Sequence, residues 1–388
     1  MSFKDMATQC RRAQVKTGKP VAAQILEILR LRAGPGRLGT SEYYDFRLYD
    51  DARLTWEQKR QFGGYRAQKA IEDTVIDDYS QFLSLDKITF DTVMRAHGFP
   101  LPRLQAIYHP GGRKVVKDVA LLRDKAMLAD FLRNEMSYPF YAKPSNGGYG
   151  TRNLSVLARD DERLIMASGP PQTINDFCAT LSNPSELGFL FQDALQPAAE
   201  TVAICGDRLS GVRLQVLLGK NGPQVFRAMW KIPVGHNIMD NFQHGRSKNL
   251  LGAVDRESGI VKRVIAGVGL DQVENPQHPD TGAEALGFAL PCWKELKTTV
   301  LEAATVFPGF LAQGWDIALT NAGPVLLEVN MLGDLDLSQY AYGIGFMDDE
   351  FLDFLDERRL RPLVEGPTDA CAKNQNNRIG RRKSHWSY

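Results

Sequence analysis

Residues 314–330, Gly-Trp-Asp-Ile-Ala-Leu-Thr-Asn-Ala-Gly-Pro-Val-Leu-Leu-Glu-Val-Asn, constrain this chain more than any other stretch. Two apolar runs flank Asn321-Ala-Gly-Pro324, a turn-forming sequence, so the segment predicts a β-hairpin. Asp316 falls on the first strand. Glu328 and Asn330 fall on the second, two apart and therefore on one face. Val325, Leu326, Leu327 and Val329 around them are apolar. Hard oxygen donors in an apolar hairpin suit Mg²⁺, which takes carboxylates together with substrate phosphates. By itself the segment equally fits a hairpin with a wet polar face.

With 388 residues the chain can form two or three lobes. Its 43% hydrophobic and 24% charged residues fit a soluble globular protein. A net charge of +1 gives no bulk electrostatic case for nucleic acid or a membrane. The tail from Arg378 to Tyr388 is the basic exception and reads as a flexible, solvated terminus. Cys10, Cys178, Cys205, Cys292 and Cys371 are scattered and never form a CxxC pair. They fit reduced thiols, not a disulfide framework or a zinc site. No apolar run approaches the roughly 18 residues of a membrane span, and the N-terminus lacks the apolar core of a signal peptide. A cytoplasmic protein without nucleic-acid partners is expected.

The first 84 residues read as helical, with helices from Val21, Thr40 and Thr55. Another helix opens at Asp86-Lys87 and closes at His97-Gly98. Beyond it, short strands and helices alternate: a strand at 104–108, a helix at 117–135, and strands at 140–143, 188–191, 201–205, 212–218 and 224–230. Helices follow at 293–306, 335–341 and 348–359. This mixture predicts α+β lobes and not one doubly wound sheet.

Two further segments carry chemistry. In Tyr138-Pro-Phe-Tyr-Ala-Lys-Pro-Ser-Asn-Gly-Gly-Tyr-Gly-Thr-Arg-Asn153 a strand delivers Lys143 to a loop containing Gly147, Gly148 and Gly150. Glycines let backbone N–H groups approach phosphate oxygens, and a lysine adds a point charge. The loop matches neither a Walker A sequence nor a GxGxxG fingerprint. Downstream, Leu187-Gly-Phe-Leu-Phe-Gln-Asp-Ala-Leu-Gln-Pro-Ala-Ala-Glu200 runs from an apolar strand into a polar linker. Backbone groups of Asp193, Ala194 and Leu195 there suit an adenine edge, and Glu200 suits ribose hydroxyls. In isolation the segment reads first as a core strand followed by a plain loop.

Taken in order, these three segments resemble the ATP-grasp superfamily, in which two α+β lobes clasp ATP and Mg²⁺. Tyr43-Tyr44-Asp45-Phe46-Arg47, Asp240-Asn241-Phe242, His278-Pro-Asp-Thr-Gly282, Pro291-Cys-Trp293 and Gly314-Trp-Asp316 resemble its sugar-transfer-associated branch, similar in outline to alpha-L-glutamate ligase-like proteins. The match runs from about residue 20 to 360. The resemblance implies a helical N-terminal region (1–84), an N-terminal grasp lobe (85–190), a C-terminal lobe with the Mg²⁺ site (191–362) and a basic tail (363–388).

It also implies roles. Lys143 and, more weakly, Lys87 would bind ATP phosphates under a flap of Gly147, Gly148 and Gly150. Gln192 stands where the family's linker begins with glutamate. Asp316, Glu328 and Asn330 would hold Mg²⁺, and Arg213 would meet the γ-phosphate and the acyl phosphate. Asp240, Asn241, His244, Arg246 and Lys248 would face the acceptor. The family's Gly-Gly pair after Asp-Asn-Phe is missing here. The implied reaction is ATP-dependent carboxylate–amine ligation through an acyl phosphate, joining a small carboxylic acid to an amine in polysaccharide, glycoconjugate or natural-product biosynthesis. The alternatives are a phosphotransferase and a non-catalytic ATP-binding module, with a homodimer as an option.

Overall fold

The computed structural model describes residues 3–77, 80–81, 85–113, 119–146, 152–181, 188–237, 239–275 and 277–365. Gly147, Gly148 and Gly150 and the tail from residue 366 lie outside the described residues.

The chain opens with helices α1 (Phe3–Thr17), α2 (Val21–Ala33), α3 (Thr40–Asp45), α4 (Trp56–Arg60) and α5 (Tyr65–Val75). Thr55 starts α4 by accepting the Gln58 N–H at 3.3 Å, while the Gln58 side chain accepts the Thr55 N–H at 2.9 Å. These helices do not fold apart from the rest. Tyr43, Tyr44, Phe46 and Phe62 share one apolar core with Met229, Leu251, Ile265 and Tyr340 from the far end of the sequence.

Helix α6 (Lys87–Ala96) follows, then β1 (Leu104–Tyr108), β2 (Ala120–Leu122), α7 (Lys125–Asn134), β3 (Phe140–Pro144), β4 (Leu154–Asp160), β5 (Arg163–Met166), β6 (Gln172–Thr173), α8 (Ile174–Thr180) and β7 (Phe189–Asp193). Their strands form a sheet in the order β2-β1-β7-β3-β4-β5-β6. The helix expected from residue 117 is shorter than predicted. Its front becomes β2, which pairs parallel with β1, and α7 starts behind Asp124, which accepts the Met127 N–H at 2.8 Å.

The second lobe holds α9 (Ala199–Cys205), β8 (Gly211–Gly219), β9 (Gly222–Ile232), β10 (Leu250–Val254), β11 (Val261–Ala266), β12 (Val273–Glu274), α10 (Trp293–Ala304), β13 (Ala312–Thr320), β14 (Gly323–Met331), α11 (Leu335–Tyr342), α12 (Asp349–Glu357) and α13 (Arg361–Glu365). Its sheet runs β12-β11-β10-β9-β8-β13-β14, antiparallel throughout. Residues 201–205, expected as a strand, are the helix α9. A five-residue apolar run carries no decisive period. Glu200 in the first turn and Gly206, at φ +65°, bound it as a helix.

Alternation along β13 explains the Gly-Trp-Asp sequence. Trp315 points into the core, where its ring lies 6.1 Å from those of Phe90 and Phe307. Burying such a ring contributes roughly 2–3 kcal/mol. Its Nε1–H donates to Gln313 Oε1 at 2.7 Å. Asp316 points the other way. Gly314 has no side chain because a Cβ there would sit 2.2 Å from Gly333 Cα. Phe90 on α6 belongs to this core, so the helix that carries Lys87 is anchored to the second lobe.

Candidate active site

The two sheets face each other across a cleft of about 660 Å³. Lys143, Gln192, Asp193, Ala194 and Leu195 line it from the first lobe, and Lys231, Asp240, Asn241, Asp316 and Glu328 from the second.

The floor is built by strand register. Asp316 on β13 lies opposite Arg213 on β8 and Glu328 on β14. Arg213 Nε and Nη2 donate to the two Asp316 oxygens at 2.8 and 2.7 Å, a bidentate fork. Lys231 on β9 reaches Asp316 at 3.0 Å and Asp240 at 3.1 Å. It is registered opposite Gly211, where a Cβ would lie 2.6 Å from Asp240 Oδ2. Glycine at 211 is therefore what admits the Asp240 carboxylate over the sheet.

Burial alone would disfavour every charge here. At Asp316 it opposes ionisation, yet Arg213 and Lys231 hold the carboxyl well below its usual range. Burial also works against Arg213 and Lys231. Asp316 lifts the first above its ordinary value, and Asp240 with Asp316 lifts the second. For Asp240 burial wins, and its carboxyl is raised despite Lys231.

Asn330 Nδ2 donates to Asp316 at 3.2 Å and Glu328 at 3.3 Å, so the three side chains expected to hold a metal do converge. Among the described residues no group of three or more His, Cys, Asp or Glu side chains is set to hold a metal. The two carboxylates nevertheless suit Mg²⁺, which completes its shell with water and phosphate oxygens; Asn330 turns its amide N–H, not its oxygen, toward them.

A bulge shapes the other wall's contact. Asp316 pairs with Glu328 and Ile317 with Leu326, leaving Leu327 as the extra residue of β14. Its carbonyl accepts from Lys143 Nζ at 3.3 Å, across the cleft. Lys143 is 8% exposed, and burial pushes its pKa below 10.5. Lys87 Nζ approaches Glu328 Oε2 at 3.9 Å, and its backbone N–H donates to Ser145 O at 2.9 Å, tying α6 to the end of β3.

In the linker, the Asp193 N–H donates to Arg103 O at 3.0 Å and the Ala194 N–H to Pro139 O at 3.2 Å. The Asp193 carboxylate is held outside by Arg103 at 2.6 and 2.9 Å. Among these three residues, Leu195 is thus the one whose N–H remains for a ligand. Glu200 is exposed in the first turn of α9 and does not line the cleft; Asp207 does. Arg246 and Lys248 are also exposed and off the cleft. His244 leaves it too, with Nδ1 3.3 Å from Tyr340 Oη and 3.6 Å from Asp336.

Lys231 was missed in the sequence. Its signal was a lone charge inside the apolar strand Met229-Trp-Lys-Ile232. The His278-Pro-Asp-Thr-Gly sequence also gains a role. Buried His278 meets Pro233 O at 2.9 Å, and Asp280 accepts the Gly235 N–H at 2.7 Å, fixing a rim loop of the cleft. Tyr43 and Tyr44 are core residues bonded to Glu27 and Gln24.

Two α+β sheets closing on a lysine, a polar linker and an Asp/Glu/Asn trio define an ATP-grasp protein. Residues 73–351 match the model of the sugar-transfer associated ATP-grasp family, and the chain belongs to that family. No match was found among curated proteins. Similar solved structures include the D-alanine–D-alanine ligase of Coxiella burnetii, at 11% identity over 79% of this chain and 64% of that one, TM-score 0.41. The D-alanine–D-alanine ligase of Bacillus anthracis is 14% identical over 76% and 75%, TM-score 0.39. The L-amino acid ligase of Bacillus licheniformis is 12% identical over 71% and 48%, TM-score 0.36. The chain thus spans about half of that last protein. Likeness at this level assigns neither a substrate nor a reaction.

Proposed function

We propose that the chain is an ATP-dependent carboxylate–amine ligase that works through an acyl phosphate. The observation that carries this reading is one cleft lined by Lys143, Lys231, Asp316 and Glu328, with Arg213 and Asn330 hydrogen-bonded to its carboxylates. Such a site positions phosphates and offsets their charge. Among the described residues the cleft holds no Ser–His or Cys–His pair, and this chemistry needs none.

ATP would lie with its adenine edge on the linker at Leu195 and its phosphates between Lys143 and the floor. Bound Mg²⁺ would be held by Asp316, Glu328 and Asn330 and would offset charge between the phosphates. Arg213 and Lys231 would orient the transferred group. A substrate carboxylate oxygen attacks the γ-phosphorus, the bond to the ADP oxygen breaks, and ADP leaves with that electron pair. An amine then attacks the acyl carbon, the C–O bond breaks, phosphate leaves, and the ammonium proton passes to solvent. Of the residues expected to face the acceptor, Asp240 and Asn241 line the cleft and would do so. The acid and amine belong to sugar acids, amino acids or peptides, in glycoconjugate, polysaccharide or natural-product biosynthesis.

The test is ADP release with Mg²⁺-ATP, a panel of such acids, and hydroxylamine as a surrogate amine. ADP with a hydroxamate is expected. ADP with a stable phosphate ester and no hydroxamate would make the protein a phosphotransferase.

A further inference from the structure

The charge of the chain is unevenly placed. Of 47 basic and 46 acidic residues, the first 33 positions hold seven and two, and positions 366–388 hold five and one. The 332 positions between hold the other 35 basic and 43 acidic residues. A net +1 therefore conceals two basic ends around an acidic body.

Helix α2 buries Gln24, Ile28 and Leu31. At 3.6 residues per turn, Ala22, Ile25, Leu26, Leu29 and Ala33 fall together on the opposite side. Ile25, Leu26 and Leu29 are 43%, 49% and 58% exposed. Exposed Arg30 and Arg32 border this stripe on its two edges. On the adjoining α1, Val15 is 89% exposed beside exposed Arg11 and Lys16. The described residues end close by. Val364 O accepts from Arg37 Nη2 at 3.2 Å, four positions beyond the end of α2.

We propose that this face docks on an anionic lipid bilayer surface, with the α2 stripe entering the interface and Arg30 and Arg32 meeting headgroup phosphates. An apolar helix face edged by arginine and lysine is the pattern that lies in a membrane interface, and basic residues there are drawn to anionic lipid. Arginine and lysine stems also follow apolar surface while their charges stay wet. A second copy on the same stripe would bring like charges together. Nucleic acid would use the charges and leave Ile25, Leu26 and Leu29 uncovered. No described helix is long and apolar enough to cross a membrane, so the contact is peripheral.

The full chain is tested by co-sedimentation with vesicles of phosphatidylcholine alone and with about 30% phosphatidylglycerol. Partitioning at least ~10-fold stronger onto the anionic vesicles is expected, falling as salt rises. L26E/L29E is expected to lose most of that binding, and R30E/R32E to lose its lipid selectivity. Both variants should keep the parent's thermal transition, since these side chains face solvent. Equal or no partitioning onto the two vesicles would overturn the proposal, as would an L26E/L29E variant that binds unchanged. A dimer that L26E/L29E makes monomeric would assign the stripe to a second copy, and retention by RNA in place of vesicles would assign it to nucleic acid; either overturns the proposal.

Discussion

On the C-terminal wall of the cleft, buried charges stand in contact with opposite ones: Arg213 and Lys231 with Asp316, and Lys231 again with Asp240. On the N-terminal wall Lys143 is buried just as deeply, but its hydrogen bond goes to a backbone carbonyl of the opposite wall. The first arrangement is a self-compensated network that fixes geometry before any ligand arrives. The second holds a cation whose cost a ligand's negative charge would relieve. The difference teaches that one wall offsets its buried charges with opposite charges, whereas the other meets its buried cation with a carbonyl dipole.

The sharpest way to break this comparison is D316N. It leaves Arg213 and Lys231 buried against a neutral amide, so unfolding in urea should show a loss of about 3–5 kcal/mol. ADP formation should fall by roughly 10³-fold or more. Normal stability in D316N would mean the network is not what holds the wall together.

E328Q separates chemistry from architecture. Glu328 is partly exposed and contacts Lys87 only at 3.9 Å. Turnover should collapse by a factor on the order of 10³ while stability stays within about 1 kcal/mol of the parent. A fully active E328Q would remove Glu328 from the proposed metal site.

K143M probes the opposite wall. Nucleotide affinity by calorimetry should drop about 10–100-fold, with stability unchanged or raised, because a buried cation is replaced by an apolar chain. The pH dependence carries the sign. Burial lowers the Lys143 pKa below 10.5, so between the folded value and 10.5 the unfolded chain binds more protons. Stability should therefore rise with pH across that window, by at most about 1.4 kcal/mol per unit, and K143M should flatten the rise. A K143M variant as unstable as D316N would erase the contrast between the walls.

Asp336, at the start of α11, gives a smaller refinement inside the C-terminal lobe. Burial, with Glu42, Asp334 and Asp45 nearby, pushes its carboxyl up to about 8 from 3.8. The folded state then holds the extra proton, so the stabilisation it carries is lost as pH rises from 3.8 through about 8. D336N should blunt that decline in urea midpoints taken from pH 5 to 9. An unchanged profile would show Asp336 ionised in the fold.

Much of the C-terminal wall was legible in the sequence. The 314–330 hairpin carries its turn, its period of two and its oxygen donors in one local stretch, and Arg213 sits in a readable strand. Lys143 was visible for the same reason. Less was legible where the partner is distant. Lys231 needs Asp240 and Asp316, from other segments, before its charge makes sense. Glu200, Arg246 and Lys248 had suitable chemistry, but α9 and the 241–248 turn carry them off the cleft.

The sequence by itself determined the local periods, the turns, the caps and the class of oxygen and nitrogen groups that the site could offer. The tertiary structure decided which of them meet. Residues 201–205 are equally apolar as strand or helix, and in the fold they form the helix α9, whose Ile204 and Cys205 join the second lobe's core. The N-terminal helices look like a separate region, yet they share a core with Met229 and Tyr340 because an apolar face is satisfied by whatever surface the fold brings to it. Burial, register and long-range charge pairing are properties of distances, and distances between remote residues exist only once the chain has folded.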